Sequence, residues 1–264
     1  MEDSQLDMMD VPRISPKTGI QITKTLYPGV VYVAKLGESS LPELAGIQSE
    51  LLVKIIYSEL AKERYGQQVH ELLSKKDMAP RYFTNFFTKL NTLPLAKLET
   101  YHVMEYLPPP SGTSLGWMTL HELGKKFPQE ATRSKCQIRD ALDAIIDVLQ
   151  LEKLVHGDLR TNNVLVCVQI IEGGSSVVIQ PRPSNSHRPG SKSVAYLKVV
   201  DFDWAGHGTG VLYPSVRNPA IPWPGENGKA IGLEDDRTMI NHWMAFWPND
   251  PQPVQVLADV GYGQ

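Results

Sequence analysis

Two stretches carry more polar chemistry than apolar strands require. LVHGDLRTNNVLV (154–166) sets His156, Asp158 and Asn163 between apolar runs, and VVDFDWAG (199–206) places Asp201 and Asp203 directly after a valine pair. Asp158, Asn163 and Asp201 offer two carboxylates and one amide oxygen. Such hard oxygen donors suit Mg2+, which prefers carboxylate, amide oxygen and water. A carboxylate beside that ion can accept or orient the proton of an attacking hydroxyl, so the set fits phosphoryl transfer. The phosphates also need a cation. Lys54 in LLVKIIY (51–57) is placed for this, because a lysine mostly buried among aliphatics needs an anionic partner.

The elements that must position these groups can be read from periodicity. GIQITKTL (19–26), VVYVAKL (30–36) and LLVKIIY (51–57) are rich in β-branched residues and read as strands, the first two joined through the turn YPG. SELAKERYGQQVHELLSKK (58–76) has helical period, with Tyr65, Val69, Leu72 and Leu73 on one face. YHVMEYL (101–107) reads as a strand stopped by PPPSG (108–112), since proline cannot join a ladder. The order is β-β-β-α-β, then a proline hinge. Beyond it, residues 136–154 form an amphipathic helix through Ile138, Leu142, Ile145, Ile146 and Leu149. NVLVCVQII (163–171) and AYLKVVDF (195–202) then read as a pair of strands that would bring Asn163 and Asp201 together. The Gly-, Ser- and Pro-rich stretch between them, 172–193, reads as a long mobile insertion: a solvated loop, or a docking or phosphorylation segment.

The motifs together resemble those of the protein kinase-like superfamily. HGDLRTNN (156–163) resembles the catalytic loop H-R-D-L-x-x-x-N, with His156, Asp158, Leu159 and Asn163 in register; DFD (201–203) resembles the metal motif D-F-G; and Val53-Lys54-Ile55 after Leu52 resembles V-A-I-K. VMEYL (103–107) looks like the last strand and adenine-binding linker of a kinase N-lobe. The resemblance spans roughly residues 19–245 and implies an α+β, bilobal kinase-like fold. Its parts would be a leader (1–17), a small β-rich N-lobe (18–107), a shortened, mainly helical C-lobe (108–247) holding the insertion at 172–193, and a tail (248–264). It implies ATP and Mg2+ as cofactors. Asp158 is the expected base, and Asn163 and Asp201 the metal ligands. Lys54 would sit on the phosphates, Arg160 on the γ-phosphate, Met104 at the gatekeeper position, and the backbone of Glu105, Tyr106 and Leu107 against the base.

Departures from the motifs matter. Gly157 stands where the family has arginine, which removes the usual partner of a phosphorylated activation loop; the G-D-L form is similar to aminoglycoside- and choline-kinase-like enzymes and to fungal kinase-like proteins. Asp203 replaces the glycine of D-F-G, and only Gly29 stands where a glycine-rich loop is expected. Register with the family puts Gly66 where a glutamate should meet Lys54, with Glu63, Gln67 and Gln68 as neighbours. LEDDRTMINHWMAFW (233–247) reads as a helix whose Asp235 or Asp236 either caps it or braces the catalytic loop.

At 264 residues, 42% hydrophobic, the chain can bury a real core, and a net charge of −3 gives no reason to expect nucleic acid or an anionic membrane. Two cysteines, no signal-peptide order and no long apolar run imply an intracellular protein, cytoplasmic or nuclear, without a membrane span. The leading expectation is a divergent kinase acting on a protein hydroxyl. A small-molecule acceptor is the runner-up, and a pseudokinase that binds nucleotide without turnover is the alternative.

Overall fold

The computed structural model describes residues 20–27, 30–36, 50–57, 65–89, 98–183 and 194–248. The expected leader, Gly29, Glu63 and the tail beyond Pro248 lie outside the described residues. The fold is mixed α+β with antiparallel sheets, divided into two units: one of 1–65 with 80–107, the other of 66–79 with 108–264.

In the first unit β1 (Ile20–Tyr27), β2 (Val31–Leu36), β3 (Leu51–Tyr57), β4 (Tyr82–Lys89) and β5 (Leu98–Glu105) form one sheet, in the order β1-β2-β3-β5-β4. Strict alternation along β3 explains its register. Leu51, Val53 and Ile55 are buried in a core with Ile20, Tyr32, Ala34, Tyr101 and Val103, while Leu52, Lys54 and Ile56 take the opposite face. Tyr27 and Val30 close the expected turn, the Val30 amide donating to the Tyr27 carbonyl at 3.1 Å. β5 ends two residues before the expected 107. β4 is an element the sequence reading lacked.

In the second unit the expected helix 58–76 is seen as α1 (Gln67–Lys75), with Val69, His70 and Leu73 buried; 58–64 lie outside the described residues. Then come β6 (Leu115–Thr119), α2 (Leu120–Lys126), α3 (Pro128–Arg133) and α4 (Lys135–Leu151). They are followed by β7 (Leu154–Val155), β8 (Val164–Ile170), β9 (Val177–Ile179), β10 (Leu197–Val199), β11 (Gly206–His207) and α5 (Asp235–Phe246). Thr119 starts α2 with a capping box: its hydroxyl accepts the Glu122 amide at 3.0 Å, and the Glu122 carboxylate accepts the Thr119 amide. α4 buries Ile138, Ala141, Leu142, Ile145, Ile146 and Leu149, the stripe its periodicity demands.

β8 lies between β6 and β10, and also pairs with β9. The expected mobile insertion is therefore ordered through residue 183: β9 folds back on β8, and Pro181 bridges Ala195. A turn of small residues hid a short hairpin. Residues 184–193 lie outside the described residues. Among the described residues no helix is long and apolar enough to cross a membrane.

Candidate functional site

The site in the second unit follows from one strand pairing. β8 begins at Val164, immediately after Asn163, and β10 ends at Val199, two residues before Asp201; Val164 and Val199 are antiparallel partners. Two bonds continue this junction. The Val200 amide donates to the Asn163 carbonyl at 3.0 Å, and the Val200 carbonyl lies 3.1 Å from His156 Nε2. Because the Asp158 amide donates to His156 Nδ1 at 3.3 Å, Nδ1 is the acceptor and Nε2–H the donor. The buried imidazole thus ties the 156–163 loop to the residue preceding Asp201.

The loop is held from below by helix α5. The buried Asp236 carboxylate accepts the His156 amide on Oδ2 at 2.6 Å and the Gly157 amide on Oδ1 at 2.9 Å. Of the two readings open for Asp235 and Asp236, bracing holds for Asp236; no side chain caps α5, and Asp235 accepts the Gly232 amide and the Tyr213 hydroxyl. Burial pushes the Asp236 carboxyl up to about 6 despite its two amide donors. Gly157 is needed here for more than the loss of an arginine. Its φ is +81°, and a Cβ would come within 2.7 Å of Ile231 Cδ1 and 2.9 Å of the Trp204 carbonyl.

Within the loop the Asn163 side-chain amide donates to both the Asp158 carbonyl (3.0 Å) and Asp158 Oδ2 (2.9 Å), leaving its own oxygen out of these bonds. Arg160 forks onto the Asp158 carboxylate, Nε to Oδ1 and Nη2 to Oδ2 (2.7 Å). Burial raises the Asp158 carboxyl to about 6. Arg160 and Asn163 oppose that shift and the nearby Asp201 charge adds to it. Asp201 itself is exposed and sits at φ +68°, a left-handed conformation that aspartate tolerates better than most residues and that turns the chain sharply after β10. The next side chain, Phe202, is buried and stacks on His70 of α1 (4.3 Å, 10°) and edge-on to His156 (5.1 Å). Asp203 is exposed.

Asp158, Arg160, Asn163 and Asp201 are therefore one neighbourhood. Among the described residues no three His, Cys, Asp or Glu side chains gather closely enough to hold a metal by themselves. The register position expected to carry a glutamate offers no room for one: the Gly66 amide donates to the Phe202 carbonyl at 2.8 Å, and a Cβ there would meet Ala205 at 2.5 Å. Gln67 bonds its own helix neighbour Glu71 instead.

The first unit carries the remaining expected residues. Lys54 is only partly exposed, on the sheet face that alternation turns away from the core; its amine lies 5.9 Å from the centre of the Tyr65 ring. Met104 is buried on β5. The Glu105 amide donates to the Arg81 carbonyl at 2.8 Å and the Tyr106 amide to the Glu50 carbonyl at 3.4 Å, so both N–H groups are used within this unit. Leu107 is half-exposed. Opposite Lys54 on the sheet stands His102, buried and stacked on Tyr65 at 3.9 Å; its Nδ1 lies 3.1 Å from the Tyr82 hydroxyl, and its Nε2 has no hydrogen-bond partner among the described residues.

The sequence reading missed His70 and Trp223, against whose ring the Arg160 guanidinium packs at 5.2 Å. His70 falls on the stripe of α1 and was readable as buried; Trp223, in a proline-rich run, leaves no periodic signal. No family model matches this chain, and no curated protein matches it.

Proposed function

We propose that this chain is an ATP- and Mg2+-dependent phosphotransferase of bilobal, protein kinase-like architecture, transferring a phosphoryl group to a hydroxyl. The observation that carries the reading is the convergence of Asp158, Asn163 and Asp201 at the β8–β10 junction, on a loop whose backbone is fixed by His156 and Asp236. The donor set fits Mg2+ as it is usually held beside a nucleotide: few protein oxygens, with phosphates and water completing the shell. Asn163 and Asp201 would hold the ion, which when bound neutralises charge on the phosphates.

The residues of the loop then have separable tasks. Asp158 takes or orients the proton of the acceptor hydroxyl; a carboxyl near 6 is mostly ionised at neutral pH yet close enough to it for proton exchange. Arg160 holds that carboxylate through Nε and Nη2, leaving its Nη1 edge to face the γ-phosphate. By the motif resemblance Lys54 steadies the phosphates, Met104 is the gatekeeper, and the Glu105–Leu107 backbone receives the base. A protein hydroxyl is the leading acceptor, a small-molecule hydroxyl or amine the runner-up, and an intracellular location fits both.

One observation favours a second reading, a nucleotide-binding pseudokinase: Gly66 excludes the glutamate that orients the lysine in active family members. Mg2+-dependent ATP consumption by the wild type, Asp158→Asn and Asp201→Asn separates the two. Catalysis predicts turnover that each substitution lowers by about a hundredfold or more. ATP binding with wild-type turnover no higher than that of the variants leaves the scaffold.

A further inference from the structure

The segment 211–231 folds back on itself beside the loop. The Tyr213 amide donates to the Lys229 carbonyl (2.9 Å), the Ile231 amide to the Val211 carbonyl (3.0 Å), and Leu212 bridges Ala230. Val155, Tyr213 and Ile231 make a small buried core, with Trp204, Val211 and Trp223 packed around it. Arg217 locks the tip: its Nε donates to Asn227 Oδ1 (2.7 Å), its Nη2 donates to the Gly225 carbonyl (2.6 Å), and its guanidinium lies 4.1 Å from the Tyr213 ring centre.

Trp223 is held within this frame by its indole N–H, which donates to the Asn218 carbonyl (2.9 Å), and by its backbone amide on the Ile221 carbonyl (2.9 Å). The Arg217 guanidinium is 5.1 Å from its ring centre and that of Arg160 is 5.2 Å. A ring this fixed offers a guanidinium a flat, electron-rich surface.

We propose that Trp223 is a positioning residue, whose ring holds the Arg160 guanidinium so that its fork stays on Asp158 and its free edge faces the reacting group. For its catalytic consequence this rests on the phosphotransferase reading; for its geometry it does not. The Arg160 guanidinium is joined to the loop backbone through a flexible side chain, and the fork onto Asp158 fixes two of its nitrogens but not the plane about the ion pair. The indole supplies the missing constraint.

The test uses the full chain in two measurements. In the NMR spectrum of the wild type, the Arg160 guanidinium protons should be shifted upfield by the indole ring current and exchange slowly with water. Trp223→Leu should abolish the shift and speed exchange at least tenfold, whereas Trp223→Phe, which keeps an aromatic face, should retain most of both. In parallel, Trp223→Leu should lower kcat about tenfold with KM for ATP unchanged, and should have no further effect in an Arg160→Lys background. Absence of the upfield shift in the wild type, or protection unchanged in a cooperatively melting Trp223→Leu, overturns the proposal; the wild-type signal decides the matter even if that variant does not fold. Loss of protection without wild-type turnover leaves the positioning intact and removes the phosphotransferase reading instead.

Discussion

Asp236 accepts the backbone amide of His156 at 2.6 Å, so a residue on helix α5 sets the conformation of a loop 80 positions earlier in the chain. The same carboxylate takes the Gly157 amide, and both N–H groups are shut off from water. Asp236→Asn keeps the shape but turns an NH2 toward one of them. Leaving one buried donor unpaired should cost about 1–3 kcal/mol. The pH dependence has a definite sign. The folded-state carboxyl is raised from its ordinary value to about 6, so its contribution to stability is full below about 4 and is lost as pH rises through 6. The stability gap between wild type and Asp236→Asn should therefore narrow from pH 4.5 to pH 7, as read by urea denaturation; a constant gap would contradict it.

Gly157→Ala tests the same turn from the other side. At φ +81° an alanine is strained, and its Cβ would press on Ile231 and the Trp204 carbonyl. A loss of about 1–3 kcal/mol is expected. Ile231→Ala in the same chain should recover little of it, because the dihedral and the carbonyl remain. Full recovery would place the problem in side-chain crowding alone.

His102 supplies a pH response of opposite sense in the first unit. Burial, reinforced by the Lys54 charge, depresses its pKa from 6.5 to about 4. The stability this adds is complete above about 6.5 and disappears as pH falls through 4. Imidazole nitrogen shifts should titrate with a midpoint near 4. The fall in melting temperature from pH 7 to pH 4.5 should be smaller in His102→Phe, which keeps a ring against Tyr65. A midpoint near 6.5 would mean the ring is not buried in solution.

What was legible in the sequence follows the strength of periodic signals. β3 alternates and α4 repeats every three to four residues, so each was readable within a few positions. β4 was not, because Tyr82, Phe83, Phe86 and Phe87 recur at one and four residues, a spacing that fits a helix as well as a strand. The meeting of Asn163 with Asp201 needed only that two apolar runs pair. The Asp236 brace could not be separated from ordinary capping, since an aspartate near a helix start looks the same whether its acceptors face its own turn or a distant loop. Trp223 and Arg217 lie in a segment ordered by long-range contacts and prolines, where no local pattern says which ring faces which cation.

Lys198 on β10 is buried, and its amine reaches Asp77 at 3.3 Å just past the end of α1, with the rings of Trp117 and Tyr196 at 5.6 and 5.8 Å. Tyr196 also donates its hydroxyl to Asp77 Oδ1 (3.0 Å), and the Met78 carbonyl accepts the Val199 amide (2.8 Å). The end of α1 is thus latched to the strand that leads into Asp201. Leaving a buried charge without its partner is more harmful than leaving a half-exposed one, and here the lysine is the buried member. Asp77→Asn tolerates the left-handed φ of +56° and keeps an oxygen for Tyr196, so it deletes the charge alone and strands the ammonium. Because the Asp77 side chain is half-exposed, the expected cost is about 1 kcal/mol, well below that of a fully buried pair. Lys198→Met should be close to neutral, its chain filling the same space between the rings. In the double variant Asp77→Asn should then cost nothing further. Denaturant midpoints for the four proteins decide it: a Lys198→Met loss larger than that of Asp77→Asn would show that the ammonium is held by the aromatic rings more than by the carboxylate.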